Sequence, residues 1–195
     1  MKIAILGSGP SGMFAAHAAA QYCAYIDIFD ADPSQARRNS GVYYLHDPCD
    51  LLLDSIEIKQ AVLGWRDCQS VIQVSEKYGQ KVYGRSGLSK LSVVNAISED
   101  IVVGYNAKQG IDRLWHMYGG QVGTRAFVDL EDVKDLLVKY DKVISTIPAK
   151  VLYPNEKMDS VTASIKIGKA PPDESFIFYN LNENCPWYRC SALFG

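Results

Sequence analysis

The fold is decided by residues 3–12, Ile-Ala-Ile-Leu-Gly-Ser-Gly-Pro-Ser-Gly, where a short apolar run leads directly into three glycines. Glycines at this spacing are typical of a strand-turn-helix unit that receives a dinucleotide. Gly7 would permit the tight turn, Gly9 would let the backbone approach a pyrophosphate, and Gly12 would let the helix pack close to the strand. The diphosphate would then lie at the helix N-terminus, where N–H groups and the helix dipole favour negative charge.

The segments around this loop complete a βαβ unit. Residues 2–6 predict a buried strand, residues 13–22 predict a helix, and residues 25–29 predict a second strand. Asp30 follows that strand, 18 residues after the last glycine of the loop, where such a unit places the carboxylate that accepts hydrogen bonds from a ribose hydroxyl. Asp32 competes for this role, but Asp30 is preferred because it follows the strand directly.

Composition restricts the function classes. The chain has 195 residues, of which 48% are hydrophobic and 22% charged, and a net charge of −2. These values are typical of soluble globular proteins and argue against nonspecific binding to nucleic acid or to an anionic membrane. We therefore expect a cytoplasmic protein that acts on a small molecule. The five cysteines show no metal-ligand spacing, so free thiols are expected and no metal site is predicted.

A polar and apolar alternation over residues 71–85, interrupted by a Tyr-Gly pair, predicts a hairpin. An antiparallel element is foreign to a minimal doubly wound sheet. Residues 55–105 are therefore expected to form an inserted cap that faces the substrate, within a single domain of residues 1–195.

The remaining periodicity predicts helices over residues 110–118 and 129–140 and strands over residues 121–128, 142–147, 161–167 and 176–181. In the second helix, the residues expected to face the core are Leu130, Val133, Leu136 and Leu137. Pro148 ends the strand 142–147, because proline cannot continue the ladder. Since ligands bind at the carboxyl edge of α/β sheets, Thr146 and Pro148 are candidate binding residues.

Three further side chains are candidates near the expected site. Arg37 and Arg38 follow the ribose acid, so one of them is expected to meet a diphosphate or a 2′-phosphate, unless both are simply solvent-exposed charges. His46 is the best titratable candidate for a catalytic role.

The order of motifs resembles the FAD-dependent group that includes flavin amine oxidases, protoporphyrinogen oxidases and UDP-galactopyranose mutases, and above all its small virus-encoded members. The motifs that carry the resemblance are Ile5-Leu6-Gly7-Ser8-Gly9-Pro10-Ser11-Gly12, Asp30, Lys142 to Pro148, Phe178-Tyr179-Asn180, Trp187-Tyr188-Arg189 and Ser191. It implies an α/β Rossmann-like FAD/NAD(P)-binding fold, a parallel sheet with helices on both faces, with a small inserted β-containing cap. It also implies a flavin-dependent oxidoreductase with FAD as cofactor, in which the flavin performs the chemistry.

The candidate cofactor-binding residues are Gly7, Ser8, Gly9, Pro10, Ser11, Gly12, Asp30, Arg37, Arg38, Thr146 and Pro148. The sequence also departs from that group. Asn39-Ser40-Gly41 stands where relatives carry Gly-Gly-Arg or Gly-Gly-Asn. The C-terminal Gly-Asp segment that closes the flavin site in relatives has no counterpart, so the chain is expected either to be an N-terminal part or to lack that segment.

Two other functions stay open. One is an NAD(P)-binding reductase or redox sensor, in which Asp30 disfavours NADP unless an arginine compensates. The other is a non-catalytic nucleotide-binding module. The substrate is not defined by the sequence, although Tyr78, Tyr83, Arg85 and Tyr105 would suit a nucleotide sugar.

Overall fold

In a computed structural model of the chain, two compact units are formed, Met1–Gly41 with Ala107–Asp159 and Val42–Asn106 with Ser160–Gly195. The structure describes residues 1–23, 25–38, 44–45, 51, 55–84, 91–98, 100–127, 129–158, 164–166, 168–169 and 173–193. Each unit contains its own sheet.

The elements in chain order are β1 (Lys2–Leu6), α1 (Pro10–Ala20), β2 (Tyr25–Asp30), α2 (Pro33–Arg38), β3 (Tyr44–Leu45), β4 (Ser55–Leu63), α3 (Val71–Tyr83), α4 (Leu91–Ser98), β5 (Ile101–Asn106), α5 (Ala107–Tyr118), β6 (Val122–Thr124), α6 (Leu130–Leu137), β7 (Lys142–Ser145), α7 (Ala149–Leu152), β8 (Phe176–Asn180) and β9 (Arg189–Ala192). Short 3-10 turns at Trp65–Asp67 and Gly119–Gln121 precede α3 and follow α5.

The first unit is built on a parallel sheet. Its four described strands run in the order β6-β2-β1-β7, and each neighbouring pair is parallel. The strand order reverses beside β1, since the chain adds β2 and β6 on one side and then crosses to β7 on the other. This mixed α/β architecture is compatible with a Rossmann-like fold, in which ligands bind at the carboxyl ends of the strands near such a reversal.

Helices flank this sheet because β1 is apolar on both faces. Ala4 and Leu6 pack with Val133 and Leu136 of α6. The alternate side chains of β1 are also buried, and α1 packs against β1 and α5. The predicted apolar face of α5 is confirmed, because all four of its members are buried: Ile111, Leu114, Trp115 and Tyr118. The prediction for Leu137 is wrong. It lies at the end of α6 and is 56% exposed.

The second unit has a mixed sheet whose described strands are ordered β3-β5-β4-β8-β9. Strand β4 pairs in parallel with β8, and the other neighbouring pairs are antiparallel. Ile58 and Val62 of β4 and Ile177 of β8 share a core with Val74 of α3 and Val93 of α4.

The hairpin predicted over residues 71–85 is wrong, because Val71–Tyr83 forms the helix α3. Its buried residues Val74, Ser75, Tyr78 and Gly79 recur at helical spacing. The predicted cap, residues 55–105, falls within the second unit, which also takes in Ser160–Gly195. Of the predicted strand 161–167, the described residues 164–166 form no regular element. None of the helices in the described ranges is long and apolar enough to cross a membrane.

Candidate functional site

The turn after β1 is tied to both neighbouring strands. Gly7 has φ +94°, a conformation that L side chains rarely adopt, and a Cβ there would lie 2.7 Å from Oγ1 of Thr146. The N–H of Gly7 donates to the carbonyl of Phe29 in β2 at 2.7 Å. On the other side, Oγ1 of Thr146 donates to the carbonyl of Leu6 at 2.8 Å. The base of the loop is therefore held in place before any ligand binds.

Gly12 lets helix α1 approach the turn. A Cβ at this position would lie 1.8 Å from the carbonyl oxygen of Gly7 and 2.8 Å from its carbon. Backbone atoms at these distances leave no room for any side chain. The predicted packing role of Gly12 is confirmed.

Gly9 differs from the other two glycines, because none of the residues that the structure describes requires a glycine there. Its backbone has φ −64° and ψ 179°, which any residue adopts. A Cβ would meet no atom of the described residues within 4 Å. As far as those residues show, the space over Gly9 is open, as it would have to be if a diphosphate lay against the backbone.

The N-terminus of α1 has no side chain of its own to cap it. Gly9 is the N-cap residue, Pro10 occupies the first turn, and no acidic residue lies in that turn. The first backbone bond of the helix runs from the N–H of Met13 to the carbonyl of Gly9 at 3.0 Å. The N–H groups of Ser11 and Gly12 precede it, at the positive end of the helix dipole, where anions bind.

Asp30 lies beside this terminus, at the end of β2. Its Oδ2 accepts hydrogen bonds from both the backbone N–H of Ser8, at 2.6 Å, and the hydroxyl of Ser8, at 2.8 Å. Its Oδ1 accepts from the N–H of Asp32 at 2.9 Å. The expected ribose acid is thus next to the glycine loop and bonded to it.

Asp32, the alternative candidate for the ribose contact, bonds instead to residues in the first turn of α2. Its Oδ1 accepts from the hydroxyl of Ser34 at 2.7 Å and from the N–H of Gln35 at 2.9 Å. These bonds hold the first turn of α2. Of the two acids, Asp30 is the one bonded to the loop, which supports the preference for it.

The other predicted site residues are not all bonded to the glycine loop as Asp30 is. Thr146 contacts the loop, but its hydroxyl proton is used by Leu6, and Pro148 directly precedes α7. Arg37 and Arg38 lie in α2, where the guanidinium of Arg37 is 5.9 Å from the ring centroid of Trp115. His46 lies outside the described residues.

Two contributions were missed by sequence reasoning. The sequence predicts Ser8 only as a residue of the cofactor-binding loop, although its fully buried side chain joins the loop to Asp30. Arg125 follows β6, and its N–H donates to the carbonyl of Asp30 at 2.8 Å, while its guanidinium lies 4.9 Å from the ring centroid of Phe127. The available signal for Arg125 was its place just after a strand, at the carboxyl edge of the sheet.

A second polar feature of the first unit is the pair Tyr140 and Asp27. The hydroxyl of Tyr140 donates a short hydrogen bond to Oδ2 of Asp27. Burial raises the pKa of Tyr140 to about 12, and the hydrogen bond to Asp27 and the charge of Asp27 act in the same direction. Asp27 lies opposite Ala4 in the sheet, and Tyr140 packs against the core that Ala4 shares with α6.

Two surface cavities are lined by described residues other than those of the glycine loop. One, of about 320 Å³, is lined by Lys2, Tyr25, Lys139 and Tyr140. Another, of about 720 Å³ in the second unit, includes Leu63, Lys77, Asn180 and Trp187.

One suggested substrate contact is corrected by the structure. Tyr78 is only 5% exposed, and its ring packs edge-on against Tyr179 and Tyr188. Burial raises its pKa. Tyr78 is a core residue of the second unit and is not available to a nucleotide sugar, while Arg85 lies outside the described residues.

Comparison of the sequence with models of known protein families gives no match, and comparison with individual curated proteins gives none either. The described cysteines Cys23, Cys68, Cys185 and Cys190 are free, and no metal-binding group of three or more His, Cys, Asp or Glu occurs in the described part of the chain. A function is therefore inferred from the loop, from Asp30 and from the sheet that places them.

Proposed function

We propose that the first unit binds the ADP moiety of a dinucleotide at the carboxyl edge of its parallel sheet, and that the chain is a flavin-dependent oxidoreductase with FAD as its cofactor. The strand order, the turn at Gly7 and the position of Asp30 support the nucleotide site. The choice of FAD rests on the resemblance in the sequence.

The residues present fit an ADP group. The N–H groups of Ser11 and Gly12 would receive the diphosphate at the start of α1, and Asp30 would accept a hydrogen bond from the ribose. A bound flavin would supply the electron transfer, for which the protein provides position and electrostatics.

The observation that carries the proposal is Gly9. Neither its dihedral angles nor its described neighbours require a glycine, so an alanine would fit among them and would cost less than about 1 kcal/mol as a poorer N-cap residue. A bound diphosphate supplies the missing reason, because it needs the space that a Cβ at this position would fill.

The first test is the cofactor itself. The protein purified from its expression host is expected to be yellow, with flavin absorption near 450 nm, and to release FAD on denaturation. The reason is that in such a protein the bound flavin, rather than a set of catalytic side chains, performs the chemistry. A colourless protein whose melting temperature rises with NADH would instead support the NAD-binding alternative. Failure to bind either dinucleotide, or ADP, would overturn the proposal.

A matched pair of variants tests the site. Gly9→Ala is expected to weaken ADP binding by about tenfold or more, since lost diphosphate contacts are charge-assisted, and to lower the free energy of unfolding by less than about 1 kcal/mol. Gly120→Ala is the control, because a Cβ there also meets nothing within 4 Å. Equal ADP affinity of the two variants, measured by titration calorimetry after any bound FAD has been removed, would contradict the assignment of Gly9.

A further inference from the structure

One cavity of the first unit lies at the opposite edge of the parallel sheet from the glycine loop. It has a volume of about 320 Å³, and its described lining consists of two lysines and two tyrosines, Lys2, Tyr25, Lys139 and Tyr140. Lys2 and Tyr25 are the paired first residues of β1 and β2, and the other two lie between α6 and β7. Strand β1 has five residues, so this edge is about 15 Å from the loop that follows Leu6.

The cavity carries an excess of positive charge. Neither the ammonium of Lys2 nor that of Lys139 forms a salt bridge with a carboxylate of the described residues. Two carboxylates belong to residues next to the lining, and each is bonded to another donor. Asp27 accepts from the hydroxyl of Tyr140, and Oδ2 of Asp141 accepts from the backbone N–H of Lys2 at 2.7 Å. Both ammonium groups are therefore available to an anion from solution.

The two tyrosines give this cavity flat apolar walls. Tyr140 is held at both ends, because its hydroxyl donates to Asp27 and its ring packs edge-on against Phe29 with the centroids 6.1 Å apart. Burial raises the pKa of Tyr140 to about 12, so its hydroxyl adds no negative charge to the cavity at neutral pH. Tyr25 is 51% exposed, and the ammonium of Lys2 lies 5.5 Å from its ring centroid, within the range of a cation–π contact.

We propose that this cavity is a second small-molecule site and that it binds an aromatic phosphomonoester, whose phosphate contacts Lys2 and Lys139 and whose ring packs against Tyr25. Lysine binds phosphate as a compact point charge with three donors. Two ammonium groups match the two negative charges of a phosphomonoester better than the single charge of a carboxylate. The aromatic wall favours a flat ring beside that phosphate.

The size of the cavity agrees with a ligand of this kind. Pockets for small molecules have volumes of about 300–1,000 Å³, and a cavity of about 320 Å³ is at the lower end of that range. It suits one ring with one phosphate rather than a dinucleotide. The site does not depend on the proposed ADP site, because the two lie at opposite edges of the sheet and share no residue.

The test uses phenyl phosphate as the probe. It is titrated into isotope-labelled wild-type protein at constant ionic strength, and the backbone amide signals are followed by NMR. The signals of Tyr25, Lys139 and Tyr140 are expected to shift along one saturable curve with a Kd of about 1 mM, the order expected for a ligand of this size. Phenol, which has the ring without the phosphate, is expected to bind about tenfold or more weakly, because the charge-assisted contacts are lost.

Substitution of single lysines separates the site from general surface charge. Lys139→Gln is expected to weaken phenyl phosphate binding by about three- to tenfold. Lys142→Gln is the matched control, since it removes an exposed lysine at the start of β7 that is not among the described lining residues. It is expected to change the affinity by less than about twofold. Circular dichroism checks that each variant is folded.

Tyr25→Leu tests the contact with the ring. This variant is expected to weaken phenyl phosphate binding and to leave the affinity for inorganic phosphate unchanged, because only the aromatic contact is lost. Similar losses for the two anions in Tyr25→Leu would overturn the assignment of an aromatic ligand.

Other outcomes overturn the site itself. They are the absence of a saturable shift at the lining residues, equal binding of phenol and phenyl phosphate, and equal effects of the two lysine substitutions. Gly9→Ala, which is expected to weaken ADP binding, is expected to leave phenyl phosphate binding unchanged. A loss of phenyl phosphate binding in Gly9→Ala would place the probe at the glycine loop and would overturn the second site while leaving the proposed function intact.

Discussion

The two units contain similar crossings from a strand to a helix, one from β1 to α1 and the other from β4 to α3. Each crossing begins with a glycine of positive φ just after the strand, Gly7 at +94° and Gly64 at +82°. Both strands have a parallel neighbour, β2 beside β1 and β8 beside β4. The crossings differ at the point where the helix begins.

Helix α3 is capped by its own residues. The side chain of Ser70 accepts from the N–H of Gln73 at 3.2 Å, and Oε1 of Gln73 accepts from the N–H of Gln69 at 2.6 Å. The first of these bonds satisfies a helix donor, as in a capping box, whereas the second goes to the residue before the N-cap rather than to Ser70 itself. Helix α1 has instead a glycine and a proline at its start, and no side-chain cap.

The difference shows how a common turn becomes a binding site. The first turn of any helix has N–H groups without helical partners, and they must bond to a side chain, to water or to a ligand. At α3 side chains fill that role, so the terminus contributes to stability. At α1 no side chain in the described ranges fills it, and the proposed diphosphate would do so.

The largest expected effect on the free energy of unfolding comes from replacing a glycine by alanine in each of the two crossings. Alanine normally favours a helix over glycine by about 1 kcal/mol, yet Gly12→Ala is expected to destabilise by several kcal/mol, because its Cβ would overlap the backbone of Gly7. Gly64→Ala is expected to cost only about 1–2 kcal/mol for its positive φ, since its Cβ would make an ordinary 3.7 Å contact with Leu181.

Urea unfolding of both variants measures this contrast. Similar losses in the two would mean that α1 can shift away from its strand, and that the close approach at Gly12 is not required. A folded Gly12→Ala protein with wild-type stability would break the comparison outright.

The next effect concerns the cap of α3. Ser70→Ala is expected to lower the free energy of unfolding by about 1 kcal/mol, because the N–H of Gln73 loses its acceptor. ADP binding should not change, since this terminus has no proposed ligand. Urea unfolding and titration calorimetry test the two statements separately. A fall in ADP affinity with unchanged stability would reverse the roles assigned to the two helix starts.

Much of the first crossing could be predicted from the sequence, because its determinants are local. An apolar run, three glycines and a helix-forming stretch follow one another within about twenty residues, and Asp30 closes the unit. The bonds from Ser8 to Asp30 could not be predicted in the same way. They depend on how far the ends of β1 and β2 extend past each other, which is set by tertiary pairing.

The hairpin prediction for residues 71–85, in the second crossing, is wrong for a physical reason. Gly79 within residues 71–85 suggests a turn, and the short alternation around it resembles a hairpin. In the structure the helix continues through Gly79, which is buried beside Tyr78. Burial of the apolar face of α3 against β4 and β8 outweighs the cost of about 1 kcal/mol for a glycine in a helix. The pattern Ser70-x-x-Gln73 was the local signal for the helix start.

The smallest effect at neutral pH concerns two tyrosines, Tyr140 in the first unit and Tyr78 in the second. Burial is the main cause of a raised pKa for both, but Tyr140 also donates to the carboxylate of Asp27. Asp27→Asn is therefore expected to lower the pKa of Tyr140 from about 12 toward its ordinary value of 10.0 and to leave Tyr78 unaffected. Ultraviolet absorbance of tyrosinate, with Tyr140→Phe to assign the transition, measures the shift.

The sign of the pH dependence follows from the neutral form of Tyr140 being favoured in the folded state. In the unfolded chain its pKa is 10.0, and in the folded protein it is about 12. The stabilisation is therefore fully present below pH 10 and is lost as the pH rises through about 12, because the unfolded state releases its proton first. Tyr140→Phe should flatten this decline in urea unfolding between those pH values. A decline of unchanged steepness in Tyr140→Phe would mean that Asp27 and burial do not raise the pKa of Tyr140. The contrast between Tyr140 and Tyr78 would then be wrong.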